Sequence, residues 1–205
     1  PLVTQLRGSR CSLPRVIIFC RTCEECSELY HFFYSSLKQE FTDPVGAPNL
    51  AIFRLVDMYT GVTRKSIRDS IITSFGKSNA PLRVVICTIA FGMGIDCADV
   101  RQVIHWGPSS DIESYVQECG RAGRKGLPSN ALLFWKKSDF RFQTVSKEIE
   151  LYCRGQEVCR RATLMSYFDC THECISVGCN CCHVCMVKYH QACAFSTCNC
   201  NSFPI

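Results

Sequence analysis

Residues 117–126, QECGRAGRKG, set Arg121 and Arg124 three apart where a helical pattern runs out. Arginines at that spacing on a helix share a face, so both are candidates to address one polyanion. Gly120 and Gly123 interrupt the same turn. A phosphate cradle of the chain's own would read Gly, four residues, then Gly-Lys-Ser/Thr between a strand and a helix. Gly76-Lys77-Ser78 is the only near match. Position 71 is Ile, however, and the triplet follows a helical pattern and precedes a strand, so it reads as a surface turn. No Asp-Glu magnesium box precedes it. The chain therefore carries phosphate-seeking arginines but no phosphate loop, and is expected not to hydrolyse a nucleotide unaided.

A second chemistry lies in the cysteines. Of the 18, seven are scattered through residues 1–152 and eleven crowd into 153–200. Even spreading in a small chain would argue for a secreted disulfide framework, whereas a metal module attached to a reduced intracellular domain predicts the clustering seen here. GCNCCHVC places Cys179, Cys182 and Cys185 in strict C-x2-C-x2-C spacing. Zn–S bonds near 2.3 Å let such sulfurs converge on one tetrahedral ion. Cys159 is the candidate fourth ligand, and Cys181 is an intruder able to replace Cys182. Cys170, Cys174, His190, Cys193, Cys198 and Cys200 fix no ligand set by spacing. His183 reads as an exposed loop residue and His105 as a near-core histidine.

Between these lies VVICTIAFGMGIDCADVRQVIHWG, residues 84–107. A strand delivers Thr88, Gly92 and Gly94 allow close approach of the backbone to a ligand, and Asp96 follows. A carboxylate there either accepts ribose hydroxyls, as in dinucleotide folds, or merely caps a turn.

The elements that must hold these groups alternate. RVIIFC is a continuous β-rich run, as in a strand covered on both faces. Thr22 and Glu25 form a capping box for a helix whose stripe is Cys26, Leu29, Tyr30, Phe33 and Leu37. FTDPVGAPN is a loop. Further strands are expected at FRLVDMY, LRVVIC, RQVIHW and NALLFW. A helix over about 63–75 has Ile67, Ile71 and Phe75 inward, and another is capped by Ser110 and Glu113. This order predicts a parallel α/β sheet with helices on both faces. Two helical stretches, about 138–153 and 156–168, then precede the cysteine-rich tail. The expected division is 1–150 for the sheet and 151–205 for a small helical metal-binding subdomain. The 47% hydrophobic and 20% charged composition is that of a globular protein, and the net charge of +5 suits phosphate partners without identifying them. No apolar run reaches the roughly 18 residues needed to span a bilayer, and no membrane partner is expected. The first ten residues are neither signal nor transit peptide. Without an initial Met, the chain is expected to be a piece of something longer.

AFGMGID followed by QECGRAGR closely resembles the fifth and sixth motifs of superfamily-two helicases, in the wording of the RecQ family of DNA helicases. VIIFCRT, residues 16–22, resembles that family's fourth motif, and the likeness runs over about 13–186. It implies a RecA-like parallel sheet with flanking helices, the second of two motor lobes, followed by a zinc-binding module of the form CRR…C-x2-C-x2-C. It implies that a first lobe binds ATP and Mg2+. Arg121 and Arg124 would then sense the γ-phosphate like arginine fingers, with Gln117 helping and Gly94 and Asp96 near the sugar. Arg21, Thr22 and Thr88 would face the backbone of single-stranded or forked DNA, with 3′-to-5′ stepping. A structural Zn2+ would be held by Cys159, Cys179, Cys182 and Cys185. A nucleus is implied by the family. The chain departs from it at Lys125, where aspartate is usual, and at MYTGV, where His-Ala-Gly is usual. No winged helix lies within the chain after the zinc segment, so that element of longer relatives is missing or lies outside it. The alternative is a non-catalytic DNA- or protein-binding adaptor derived from such a lobe.

Overall fold

The computed structural model describes residues 1–89, 97, 99–141, 144–155, 157–170 and 181–192. They form two compact units, Pro1–Ser109 with Glu113–Phe142, and Ser110–Ile112 with Gln143–Ile205.

The first unit is built on a parallel sheet of β1 (Arg15–Cys20), β2 (Val56–Tyr59), β3 (Val84–Cys87), β4 (Val100–Trp106) and β5 (Asn130–Phe134), in the order β2-β3-β1-β4-β5. β1 is the centre, and all six of its residues are buried. Val16, Ile18 and Cys20 pack on one face with Leu6, Cys26, Phe33, Leu37 and Phe41. These come from α1 (Leu2–Ser9), α2 (Cys23–Leu37) and the 3-10 turn after α2. Ile17 and Phe19 pack on the other face with Ile71 and Phe75 of α3 (Lys65–Gly76) and Val85, Cys87 and Val103 of the sheet. A strand dressed on both sides has no polar face, which is why its sequence is a continuous apolar run.

The Thr22 cap forms as expected, its Oγ1 accepting the Glu25 N–H at 3.1 Å. The Glu25 carboxylate accepts instead from the Arg21 N–H, 3.0 Å away, one residue before the cap. Two expectations differ. Ile67 is exposed while Ile71 and Phe75 are buried. Helix α4 (Ile112–Cys119) starts two residues after Ser110, whose hydroxyl donates to Asp111 at 2.7 Å. β5 is an edge strand exposed along most of its length. The second unit contains α5 (Lys147–Arg154), α6 (Arg160–Ser166) and α7 (His183–Ala192). No helix among the described residues is long and apolar enough to cross a membrane.

Candidate functional site

Because all five strands are parallel, their carboxyl ends share one edge. The chain leaves β1 toward β2 and leaves β4 toward β5, so the topological switch lies between β1 and β4, where open α/β sheets receive ligands. Arg21 and Thr22 follow β1 and Thr88 follows β3, on this edge. Thr22 is exposed, and its hydroxyl retains a proton to donate. Thr88 is half-buried, and its N–H donates to the Tyr59 carbonyl at 3.4 Å. Arg21 does not present an open phosphate hook. Its guanidinium meets Glu25 at 2.7 Å and Asp139 at 3.1 Å, and its Nε is buried with no hydrogen-bond partner. Arg21 is half-buried, and the two carboxylates share its charge.

The arginine turn is built differently from a helical face. α4 ends at Cys119, and Arg121 and Arg124 lie on successive tight turns beyond it. Arg121 N–H donates to Glu118 O at 3.1 Å and Ala122 N–H to Cys119 O at 3.1 Å. Gly123, at φ +73°, then donates its N–H to Val100 O, the first residue of β4, at 3.1 Å. The turn thus reaches the amino edge of the sheet. The seven residues of β4 span roughly 20 Å at about 3.3 Å each, and that length separates Val100 from the edge bearing Thr22 and Thr88. Arg121 is half-buried with its Nε unpartnered, while Gln117 and Arg124 are exposed. Gly94 and Asp96 lie outside the described residues. Nearby, Cys97 is buried and its thiol donates to Phe75 O at 3.1 Å.

The Gly76-Lys77-Ser78 turn shows why it is no phosphate loop. Its carbonyls face inward. Arg15 donates to Lys77 O, and Arg83 donates to Ser78 O at 3.2 Å and Ala80 O at 2.7 Å. A phosphate cradle needs N–H groups turned toward an anion; this turn offers acceptors to two buried arginines.

One constellation was not singled out as a site from the sequence. His105 is buried, with Nε2 2.9 Å from Glu118 Oε2, and Ser109 Oγ donates to the same oxygen at 2.6 Å. The imidazole stacks on Phe19 with ring centroids 5.5 Å apart and leans on Tyr115 at 4.7 Å. The reading of His105 as a near-core residue agrees with this packing.

In the second unit, Cys159, Cys181, Cys182 and Cys185 bring their sulfurs within 4.8 Å of one another. Cys159 Sγ lies 3.6 Å from Cys181 Sγ and 4.0 Å from Cys182 Sγ. The Arg160 and Cys185 backbone N–H groups point at Cys182 Sγ at 3.4 and 3.5 Å. A tetrahedral ion with 2.3 Å bonds needs sulfur pairs about 3.8 Å apart, so the donor set fits a closed four-sulfur site. Burial pushes the Cys185 thiol well above its ordinary value, and the neighbouring Cys182 and Cys159 add to this. A cation among the sulfurs would reverse that balance. Cys179 lies outside the described residues; among the described residues the fourth sulfur of the cluster is that of Cys181. His183 opens α7 and is exposed.

Comparison with known proteins bears on this geometry. The profile of the helicase conserved C-terminal domain matches residues 3–126. The ATP-dependent DNA helicase RecQ of Haemophilus influenzae is 37% identical over 137 residues, 59% of this chain and 21% of its own length. The rat ATP-dependent DNA helicase Q5 is 32% identical over 197 residues, 92% of this chain and 18% of its own. The chain therefore spans about a fifth of the length of these relatives. Among solved structures, the Mycobacterium smegmatis helicase Lhr bound to ssDNA and AMP-PNP has a TM-score of 0.54 at 22% identity, covering 67% of this chain and 16% of that one. The DUF1998 helicase MrfA bound to DNA also scores 0.54, at 16% identity, covering 84% of this chain and 20% of that one. Both share the fold. With this profile match, these relatives and a parallel sheet of this order, the chain belongs to the helicase C-terminal domain family, as a RecQ-like lobe.

Proposed function

We propose that the chain is the second motor lobe of an ATP-dependent DNA helicase that steps 3′ to 5′ along single-stranded or forked DNA in the nucleus. It would be inactive until joined to a first lobe that holds ATP and Mg2+. The observation that carries this reading is that Gly123 pins the arginine turn to Val100 at the amino end of β4, while Thr22 and Thr88 follow the carboxyl ends of β1 and β3. One lobe thereby has a face for a nucleotide held by its neighbour and a separate face for a nucleic-acid backbone. On the first face Arg121 and Arg124 bring positive charge to the γ-phosphate, Gln117 supports them from α4, and Gly94 and Asp96 approach the sugar. On the second, Thr22 and Thr88 meet the backbone, while Arg21 organises the edge through Glu25 and Asp139. Cys159, Cys182 and Cys185, with Cys179 or Cys181 as the fourth, would hold a structural Zn2+ with no open position, so the ion's contribution is to the second unit's stability.

The test joins the chain to a first lobe carrying a phosphate loop. Arg121→Ala is expected to lower kcat for ATP by about 10³, the lower end of arginine-finger effects, with DNA affinity within about twofold. The chain by itself should show no DNA-stimulated ATP turnover, and robust turnover by it would refute the two-lobe reading. If the joined protein binds DNA but hydrolyses ATP equally well with and without Arg121, the adaptor reading replaces this one.

A further inference from the structure

We infer that Glu118 is a positioning residue for the arginine turn, a buried carboxylate that fastens the last turn of α4 to the end of β4 through Ser109 and His105. The inference rests on the proposed role of Arg121 at the nucleotide.

Glu118 is 8% exposed, and one oxygen, Oε2, takes both the Ser109 hydroxyl at 2.6 Å and His105 Nε2 at 2.9 Å. His105 is 1% exposed and is held in turn by Phe19 of β1 and by Tyr115 on α4 itself. The Glu118 carbonyl accepts the Arg121 N–H. One residue thus anchors by its side chain to the sheet and by its main chain to the arginine. A buried carboxylate costs free energy unless its partners are in place, so the clamp admits few alternative placements of the helix end. Next along the turn, Gly123 fixes the other side of Arg121 to Val100. Arg121 is suspended between two fixed points on β4, and only one of them depends on a side chain. Displacing a charge-stabilising group by about 1 Å is enough to lose on the order of 10²-fold in rate.

The experiment substitutes Glu118→Met, which keeps length and apolar fit but removes the acceptor, and Glu118→Gln, whose carbonyl oxygen preserves one. In the 205-residue chain, Glu118→Met should speed amide hydrogen exchange at Arg121 and Ala122 by about tenfold, with the β1 and β3 amides unchanged. In the two-lobe protein it should lower kcat for ATP by about tenfold with KM within about threefold, and Glu118→Gln should recover most of the loss. Combined with Arg121→Ala, Glu118→Met should add less than about threefold, because it acts through that arginine. Unchanged exchange at 121–122, losses that multiply, or Glu118→Gln as slow as Glu118→Met would each overturn the inference. Should Glu118→Met fail to fold, Ser109→Ala removes one donor from the same clamp and should give a smaller effect of the same sign. If the unsubstituted two-lobe protein turns over no ATP, the proposed function falls, and the exchange measurement still decides whether Glu118 orders the turn.

Discussion

Arg21 lies flat against Gly107: a Cβ placed on that glycine would stand 2.7 Å from Arg21 Nε, and Gly107 sits at φ +102°. The end of β1 and the end of β4 are thus fitted to each other at the switch of the sheet, with Glu25 and Asp139 closing on the guanidinium.

Gly107→Ala should destabilise the first unit by about 1–3 kcal/mol, the range for a non-glycine residue held in a disfavoured conformation. Arg21→Ala should also destabilise, because Asp139 has 4% side-chain exposure and would keep a buried charge without its cation. The double variant separates the two causes: removing Arg21 relieves the clash but not the strain at φ +102°. Thermal unfolding of the three variants checks this, and equal Tm values for Gly107→Ala and wild type would show that the fit carries no energy.

Cys179 and Cys181, two cysteines close in sequence, are rival fourth ligands. Cys181→Ser should lower zinc content by about one equivalent and lower the stability of the second unit, and Cys179→Ser is measured beside it. Metal analysis by mass spectrometry of the purified protein decides between them. Zinc lost with Cys179 and kept without Cys181 would return the fourth position to the regular C-x2-C-x2-C spacing.

Much of this was legible from residues alone, for reasons the structure makes plain. β1 shows as an unbroken apolar run because it is buried on both faces, and the Thr22 cap is a local pattern needing no tertiary knowledge. Helix α1 is less visible: only Leu6 of its eight residues is buried, too little to make a periodic stripe. Spacing suggested that Arg121 and Arg124 share a helical face, but Gly123 bonding back to Val100 turns the chain away, and that partner is 23 residues distant. Glu118 had a signal that went unused. It stands three residues after Tyr115, which puts a carboxylate on the buried side of α4. Cys159 and Cys181 come together across 22 residues of sequence, a proximity that no spacing rule contains.

Asp43 and Cys11 give a pH profile with two limbs. Hydrogen bonds from the Cys11 thiol (2.9 Å) and from Arg10 hold the Asp43 carboxyl below the usual carboxylate range. Burial, and then Asp43 itself, push the Cys11 thiol up to about 11. A depressed carboxylate contributes stability above its unfolded value of about 3.9 and loses it as pH falls through the lower folded value. A raised thiol contributes stability below its unfolded value and loses it as pH rises toward about 11. The difference in urea midpoint between wild type and Asp43→Asn should therefore shrink on acidification below about pH 4. That between wild type and Cys11→Ala should shrink on the alkaline side. Differences that hold constant across both windows would mean that the pair is not coupled to folding.

Gly123 supplies the sharpest test of the arginine turn because its constraint is local. It sits at φ +73°, and an added Cβ would meet Ser129 Oγ at 2.5 Å. Its N–H is the bond that ties the turn to Val100. Gly123→Ala should cost about 1–2 kcal/mol, since alanine is strained at this φ whatever the space around it. Combining it with Ser129→Gly removes the steric part and leaves the backbone part, so partial recovery of Tm is expected. In the two-lobe protein, Gly123→Ala should lower kcat for ATP more than its modest loss of stability accounts for, because it moves both arginines, whereas the Ser129→Gly single variant should leave kcat near wild type. Turnover that tracks the folded fraction alone across this series would make Gly123 a structural glycine, and would require the sixth-motif arginines to tolerate displacement of their own turn.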